Sequence, residues 1–389
     1  MGGRVDLEVA LDRIRSSCED AETGHDLFER VSADVHDLIP HDGAVWFGVD
    51  PATLLVASPM RVEAQEASSC DAFWHHEFRV ADTAQFVDLA RSPEPAASLH
   101  LSLDGDLIRS ARYRGLLRPQ GYEDELRAVL RTGESTWGIV GLMREGGRTA
   151  FDADEVTLMS KASPIIATAL RRHVRAQSPW LGSVRAPGLV VFDRQSRVVS
   201  ANEESLHWLR QLIGCEVDDD GLEPGAPPVH RVDELLGSRA LERQITPIWA
   251  LLSRAHAVAD GLDSRAARLR LRDHRGRWLV LHASALTSQR DASADSVAVV
   301  IEPAKSSEIA PIIIEAYSLT PRERDVVVAL ASGDSTSEIA ARLFLSQHTV
   351  RDHIKTVFDK VGVSSRAELV AKLFAEHYSE RAHADLVHA

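Results

Sequence analysis

The chain has 389 residues and a formal net charge of −14, with 44% hydrophobic and 26% charged residues. This length suits two or three domains, and the composition is that of a globular protein. Apolar runs such as "APIII" at 310–314 are too short to cross a bilayer, and the opening "MGGRVDLEV" lacks the apolar core of a signal peptide. Cys18, Cys70 and Cys215 stand far apart. We therefore expect a cytoplasmic protein with no membrane partner, no disulfide framework and no cysteine-rich metal site.

The first region of predicted elements covers residues 1–178. Two amphipathic helices are predicted near residues 5–40, followed by a strand at "GAVWFGVD" and a stretch to about residue 120 that has many turn residues and no clear pattern. Two strands joined by a glycine-containing turn are predicted in "DELRAVLRTGESTWGIVGLMRE". Asp152 and Glu155 then form a D-x-x-E start signal for a long helix.

The second region, residues 187–303, begins with the predicted strands "GLVVFD" and "VVSA" and the helix "NEESLHWLRQLIG". The Pro-, Gly- and Asp-rich stretch "EVDDDGLEPGAPP" interrupts the pattern. A helix around "ITPIWALLSRAHAV", a hairpin in "ARLRLRDHRGRWLVLHASAL" and the strand "SVAVVIEPA" complete the region. A short apolar helix, "IAPIIIEAYS", is predicted to link it to the rest of the chain.

Both regions resemble known sensory modules in the order of their elements. Residues 1–178 are similar to a GAF domain, with a late hairpin and a closing helix opened by "FDADEVTLM". Residues 187–303 are similar to a PAS domain, in which "GLVVFDRQSRVVSANEESLHWL" matches the paired strands and the following helix. These resemblances imply two α+β sensor domains. A small-molecule ligand in either domain is left open, and no cofactor and no cofactor-binding residue is predicted.

Residues 319–378 carry repeated helix-start signals. The pairs with the spacing of a capping box are Thr320 with Glu323, Ser335 with Glu338, and Ser365 with Glu368. Ser346 is predicted to cap a further helix, and Gly333 to end the first one. The fold class expected is therefore multidomain: two α+β domains, a linker helix over 304–318, and an all-α four-helix domain over 319–378.

A turn at Phe344–Ser346 separates the second and third of these helices, which is helix-turn-helix spacing. At about 100° per residue, the third helix has an apolar face that we expect to pack on its scaffold. The apolar positions are Val350, Ile354, Val357, Phe358 and Val361. The other face presents Arg351 and Lys355, one turn apart. Arg can donate two hydrogen bonds to guanine, and Lys can contact guanine or a phosphate.

The predicted DNA-binding residues are Ser346, Thr349, Val350, Arg351, Asp352, Lys355 and Lys360. Thr349 and the backbone N–H groups of the first turn are suited to a phosphate. Residues 319–378 contain eight basic and eight acidic residues, so the acidic excess, 36 basic against 50 acidic residues, lies elsewhere. Residues 346–366 have four basic and two acidic residues, a local basic spot on an acidic molecule.

The stretch "LTPRERDVVVALASGDSTSEIAARLFLSQHTVRDHIKTVFDKVGVSSRAELVAKL" resembles the DNA-binding domain of the LuxR (GerE-type) transcription factors. The matching pieces are "LTPRE", "EIAARL", "S-x-x-TV-x-x-HI" and "K-x-GV-x-SRAEL". The resemblance implies that the third helix reads DNA through Arg351, Asp352 and Lys355, although an acid at Asp352 departs from the small or basic residue of many members. It also implies dimerisation through the fourth helix, by Leu369, Val370 and Leu373.

The histidines of "FWHHEF" (Phe73–Phe78) are candidate metal ligands. On a strand, His75 and His76 would point to opposite faces and could not share one metal, so no metal site is predicted. The sequence has no G-x-x-x-x-G-K-[ST] phosphate loop, no G-x-G-x-x-G, no G-x-S-x-G elbow and no H-E-x-x-H, so an enzyme is not expected.

These patterns predict a sequence-specific DNA-binding transcriptional regulator. It would be a one-component sensor, acting as a homodimer on promoter or operator DNA at the nucleoid, with RNA polymerase among its candidate partners. The alternative is a protein-interaction adaptor whose sensor folds dimerise and whose helical tail binds a protein without reading DNA. A steep fall of affinity with salt is the property that distinguishes DNA binding from the alternative.

Overall fold

The computed structural model describes residues 7–64, 70–176, 186–213, 217–218, 221–222, 232–236, 245–274, 276–286, 296–304 and 306–374. The chain forms two compact units. The N-terminal unit comprises residues 1–173 and 183–303, and the C-terminal unit comprises residues 174–182 and 304–389. Among the described residues, no helix is long and apolar enough to cross a membrane.

A five-stranded antiparallel sheet forms the first half of the N-terminal unit. Its strands are β1 (Gly43–Val49), β2 (Val56–Glu63), β3 (Ala96–Ser98), β4 (Tyr122–Thr132) and β5 (Ser135–Glu145). They lie in the order β2-β1-β5-β4-β3. β1 is buried along its whole length, and β5 is buried except at its last residue, so both faces of the sheet centre are covered. The predicted hairpin of β4 and β5 is confirmed, with Val129 opposite Ile139.

Helices cover this sheet. They are α1 (Leu7–Asp20), α2 (Gly24–Leu38), α3 (Cys70–Phe78), α4 (Phe86–Leu89), α5 (Leu99–Ser102) and α6 (Ala153–Ala176). The predicted start of α6 is confirmed: the Asp152 carboxylate accepts the N–H of Glu155 at 2.9 Å, and the Glu155 carboxylate accepts the N–H of Asp152 at 3.0 Å. The Ser163 hydroxyl donates to the Val129 carbonyl at 2.7 Å, which fixes α6 on β4.

The residues of "FWHHEF" form a helix, α3, and not the strand on which the placement of the two histidines was considered. Phe73, Trp74 and Glu77 are buried while His75 is exposed, which is the three- and four-residue spacing of a helix. His76 lies against Gly115, where a Cβ would come within 2.7 Å of the imidazole Nε2. Within the residues that the structure describes, no three or more His, Cys, Asp or Glu side chains are placed to hold a metal ion.

The second half of the N-terminal unit contains another five-stranded antiparallel sheet. Its strands are β6 (Gly188–Phe192), β7 (Val198–Ala201), β10 (Arg268–Arg272), β11 (Trp278–Leu286) and β12 (Ser296–Pro303). The short strands β8 (Val217–Asp218) and β9 (Gly221–Leu222) form a separate two-stranded sheet. The sheet order is β10-β11-β12-β6-β7. In both sheets the first strand therefore lies between the second and the last, which gives the same topology twice.

The helices of the second half are α7 (Glu203–Ile213), α8 (Val232–Leu236) and α9 (Thr246–Ala259). β12 alternates between buried and half-buried residues, so one face of this sheet points into the core. The interrupting stretch "EVDDDGLEPGAPP" lies mostly outside the described residues. The two antiparallel sheets with their helices confirm the predicted α+β class.

The two sheets of the N-terminal unit share one hydrophobic core, and α3 packs against α9. The Ser253 hydroxyl donates to the Trp74 carbonyl at 2.9 Å. The fully buried carboxylate of Asp50 accepts two hydrogen bonds from the Arg270 guanidinium, at 2.6 and 2.7 Å. The two predicted sensor regions are thus held together by apolar contacts and a buried ion pair, and their boundaries remain predictions.

The described residues of the C-terminal unit from 304 to 374 form an all-α fold, as predicted. Its helices are α10 (Ser306–Ala316), α11 (Pro321–Ala331), α12 (Thr336–Leu343), α13 (Gln347–Val361) and α14 (Arg366–Phe374). The predicted linker helix corresponds to α10. Its residue Ile314, together with Tyr317, packs in the same core as Val327 and Leu369, so this helix is part of the unit's fold.

Candidate nucleic-acid interface

Side-chain caps set the helix starts of the C-terminal unit. Thr320 and Glu323 form a complete capping box on α11, and Ser335 and Glu338 form another on α12. The third predicted box differs in one partner. Ser365 accepts the N–H of Glu368 at 3.2 Å, but the Glu368 carboxylate accepts the N–H of Ser364 at 2.7 Å. The helix starts are therefore fixed by local sequence, as the spacing predicted.

The turn between α12 and α13 is as short as predicted. Phe344 ends α12 in the left-handed conformation, with φ of 55°, and its side chain is 95% exposed. The N–H of Leu345 donates to the Ala340 carbonyl at 2.9 Å. Ser346 then caps α13, accepting the N–H of Thr349 at 3.0 Å. The two helices therefore have the close connection of a helix-turn-helix.

One face of α13 is committed to the core. Val350, Val357 and Val361 are buried, and Ile354 and Phe358 pack half-buried against the same cluster. This confirms the predicted apolar stripe. It also corrects the expectation that Val350 binds DNA, because its side chain has no exposed surface. A position that is needed to hold the helix on its scaffold is not available to a ligand.

The opposite face carries Arg351, Asp352 and Lys355, all exposed. Among the eight basic side chains of residues 319–374, all of which the structure describes, Arg351 and Lys355 are the two with no hydrogen-bond or ion-pair partner within the protein. They are four residues apart and so lie one above the other on the helix surface. Two unpaired cations thus stand side by side.

The other six basic side chains are held by the domain itself. The partners are Asp325 for Arg322, the Leu319 carbonyl for Arg324, Asp334 for Arg342, Glu323 for Lys360, the Asp334 carbonyl for Arg366, and the Val361 carbonyl for Lys372. Two of them complete helix C-termini, where cations are favourable: Arg366 donates to the Leu330 carbonyl of α11, and Lys372 to the Val361 carbonyl of α13. Formal charge along the sequence does not distinguish these residues from the unpaired pair.

Lys360 therefore has a structural contact that its sequence position did not reveal. Its Nζ lies 2.6 and 2.9 Å from the two carboxylate oxygens of Glu323 and 3.3 Å from the Ser318 carbonyl. Burial raises the pKa of Glu323, but the hydrogen bonds from Lys360 and Thr320 outweigh burial, so the pKa of this carboxyl is lowered. This side chain joins α13 to α11, and we no longer retain it as a DNA contact.

The remaining predicted contacts lie near the start of α13. The hydroxyls of Ser346 and Thr349 are 2.8 Å apart, so both share the capping interaction. Asp352 has its carboxylate 3.1 Å from Nδ1 of His348, one turn earlier. The acid is thus held back along the helix towards the first turn, a contact that the i, i+4 spacing of the two residues permits.

The predicted dimerisation residues occupy different environments. Leu369 is buried in the core of the domain, which corrects its expected role at a dimer interface. Val370 is half-buried. The side chain of Leu373 lies outside the described part of the chain. A dimer contact through α14 would therefore involve Val370 and not Leu369.

Residues 317–373 match the family of bacterial regulatory proteins described as luxR family, GerE. The spore germination protein GerE of Bacillus subtilis is 46% identical over 55 residues, which is 74% of that protein and 14% of this chain. The chain belongs to the luxR family. A probable transcriptional regulatory protein, SgaR of Hyphomicrobium methylovorum, is 52% identical over 54 residues, or 14% of this chain and 26% of SgaR. The chain spans about a quarter of that relative's length, so the family likeness concerns the C-terminal unit.

Solved structures give weaker likenesses to this luxR-family chain. The GAF domain of an Acinetobacter phosphoenolpyruvate-protein phosphotransferase is 11% identical with a TM-score of 0.33, covering 45% of this chain and 98% of that one. A phage VqmA–DPO complex is 18% identical with a TM-score of 0.23, covering 49% of this chain and 82% of that one.

Proposed function

We propose that this protein is a sequence-specific, DNA-binding transcriptional regulator. In this proposal α13 enters the major groove of double-stranded DNA, and the N-terminal unit acts as the sensor that controls it. The observation that carries the proposal is the pair Arg351 and Lys355: exposed, one turn apart, and without a partner in a domain whose other basic side chains are all paired.

The chemistry of the exposed face suits DNA. The Arg351 guanidinium can donate two parallel hydrogen bonds to O6 and N7 of guanine, a contact worth about 1–3 kcal/mol in discrimination. Lys355 supplies a point charge for guanine or for a phosphate. The first turn of α13, with Ser346 and Thr349, presents backbone N–H groups and hydroxyls of the kind that bind a backbone phosphate.

A dimer follows from the geometry of groove reading. Helix-turn-helix proteins commonly bind two half-sites about 34–36 Å apart, one per protomer, and the operator mirrors the two-fold symmetry of the protein. Neutrality of the C-terminal domain makes one domain a weak binder, because few phosphates are neutralised. We therefore infer that a homodimer is the binding species, and RNA polymerase is a candidate partner at the promoter.

Control by the N-terminal unit requires a ligand or partner that prefers one arrangement of the protein over another. The predicted GAF-like and PAS-like regions, together with α10, would carry that preference to the C-terminal unit. Such a one-component regulator couples signal and DNA in a single chain without catalysis.

The test is selection of random duplex DNA by the full-length protein at near-physiological salt. Arg351→Ala/Lys355→Ala removes the unpaired cations, and Arg322→Ala is the matched control, since Arg322 is an exposed residue paired to Asp325 at 3.6 Å. We expect a two-fold symmetric motif with the wild type and the control and none with the double variant. If the wild-type chain selects no motif, selection is repeated with the chain from residue 304 onward, which has its own core. No motif from either protein would contradict the proposal and favour the adaptor.

A further inference from the structure

The junction between the two sheets of the N-terminal unit contains a small cavity. Its volume is about 10 Å³, enough for one group of the size of a water molecule. The walls come from both sheets' elements, including Trp74, Glu77 and Phe78 of α3, Arg254 of α9, and Arg265 of the segment before β10. The cavity thus lies where α3 and α9 meet.

Arg254 dominates this cavity. It is 0% exposed, and its guanidinium lies over the Phe78 ring with Cζ 4.1 Å from the ring centre. Nη1 donates to the Thr53 carbonyl at 3.2 Å. Nε and Nη2, although buried, make no hydrogen bond to the protein. A buried charged donor without an acceptor is costly, so these N–H groups favour a ligand that can accept from them.

The neighbouring carboxylates do not complete the site. Asp263 has an oxygen 3.1 Å from Nε of Arg254, but the N–H direction does not meet it, and the carboxylate is held by Nε and Nη2 of Arg265 at 3.1 and 2.9 Å. Glu77 accepts from Nη1 of Arg127 at 2.7 Å and from the N–H of Phe86 at 2.9 Å. At the cavity Arg254 and Arg265 therefore share Asp263, while Glu77 is already engaged by Arg127 and by the N–H of Phe86.

The charge of the buried Arg254 guanidinium favours a bound anion. Burial and the proximity of Arg265 lower the pKa of Arg254 to about 10, against the attraction of Asp263 and Glu77. The guanidinium is still charged at neutral pH. An anion in the cavity would offset both effects, because it restores a counter-charge inside the low-dielectric junction and accepts the free N–H groups.

We propose that this cavity is a binding site for a small monovalent anion, with Arg254 as its principal ligand. The cavity holds one small group and is partly open to solvent, since Leu54, Val87 and Arg265 of its wall are half-buried, so the anion is a halide or a carboxylate whose remainder stays outside. Such an anion lies between α3, which packs on the first sheet, and α9, which packs on the second, and it stabilises the contact between the two helices. The site depends neither on DNA binding nor on the proposed function.

The experiment uses full-length protein titrated separately with sodium formate and sodium chloride. Sodium gluconate, whose anion is too bulky for the cavity, keeps the sodium concentration constant. Tryptophan emission is one readout, because the buried Trp74 lines the cavity, and the thermal midpoint is the second. We expect a saturable change in emission and a rise in midpoint that increases with anion concentration. A stronger response to formate identifies a carboxylate source, and a stronger response to chloride identifies a halide.

Two variants address the site, and two serve as controls. Arg254→Lys keeps the charge but loses the planar fork, and Val87→Phe fills the cavity from α4 without changing charge; each is expected to weaken the anion response at least tenfold. Arg79→Gln breaks the exposed ion pair with Asp260, at 2.8 Å, in the same pair of sheets and should respond as the wild type does. Trp74→Phe should lose the emission change and keep the rise in midpoint.

The proposal is overturned if the wild type gives no saturable response, since water then suffices for the free N–H groups. It is also overturned if Arg254→Lys and Val87→Phe both respond with the wild-type affinity, since the anion then binds elsewhere. Because the titration contains no DNA, its outcome is independent of whether α13 reads an operator.

Discussion

In the N-terminal unit the guanidiniums of Arg112 and Arg127 are buried against carboxylates, whereas in the C-terminal unit every described basic side chain reaches solvent. Buried pairs add little net stability, but they are expensive to break and therefore fix which elements meet. Exposed cations fix little of the fold. The comparison teaches that paired arginines hold the N-terminal unit together, and that unpaired cations in the C-terminal unit are available to a partner.

The largest effect is expected from breaking the buried network. Glu125 is fully buried and accepts from Arg112 at 2.7 Å and from Arg127 at 3.0 Å; although burial raises its pKa, these two arginines lower it. Glu125→Ala leaves two buried guanidiniums short of a partner and should cost about 3–5 kcal/mol of unfolding free energy. Urea unfolding followed by tryptophan emission measures this cost. The exposed Arg15→Ala serves as the control, and an equal, negligible cost for both would show that the network is not structural.

The next largest effect is a loss of operator preference, expected from changing the exposed face of α13 that carries Arg351. Arg351→Lys keeps the charge and loses the bidentate donor, so preference for the selected operator should fall by about 1–3 kcal/mol while binding to unrelated DNA is retained. Competition binding with specific and scrambled duplexes at fixed salt measures both quantities. Arg322→Lys provides the control. A parallel loss on both duplexes would instead make Arg351 a phosphate contact.

A smaller loss of stability is expected from breaking the ion pair between Lys360 and Glu323. This loss distinguishes Lys360 from the unpaired Arg351 and Lys355. The pKa of Glu323 is lower in the folded protein than in the unfolded chain, so its carboxylate stabilises the fold above the unfolded pKa of about 4.3. This stabilisation is lost as the pH falls through the lower pKa of the folded protein. Glu323→Gln should therefore cost about 1–2 kcal/mol at neutral pH, between an exposed and a buried pair, and nothing at strongly acidic pH.

Urea unfolding of the chain from residue 304, followed by helical circular dichroism at several pH values, measures this difference. Glu338→Gln is the matched control, since Glu338 caps α12 but has no lysine partner. A pH profile of Glu323→Gln that matches the wild-type profile would mean that Lys360 is not engaged as described.

Local signals made the C-terminal unit the more predictable region. The capping boxes at Thr320 and Ser335 depend on residues three apart, so the sequence was sufficient to place α11 and α12. The apolar stripe of α13 was likewise predictable from helical spacing. Contacts between distant residues were not: Asp50 meets Arg270 across 220 positions, and the Glu323 partner of Lys360 lies on another helix.

The same limit explains the errors. "FWHHEF" is too short for its periodicity to distinguish a helix from a strand, and burial of Trp74 and Glu77 depends on α9, far along the chain. Val350 and Leu369 were expected at interfaces because they lie on helices that a resemblance linked to contacts. Their burial is decided by which face the neighbouring helices cover, and this is set by the assembled core.

The shared strand order has a consequence for synthesis. In each sheet the last strand in the chain, β5 or β12, lies in the middle and joins two pairs of strands that are otherwise separate. Isolated pairs of strands are marginal in water. Neither sheet can therefore be continuous until its final strand has left the ribosome, and a chain that stops before residue 296 has only the first sheet complete. The helices of the C-terminal unit make mostly local contacts, so they form rapidly once they emerge.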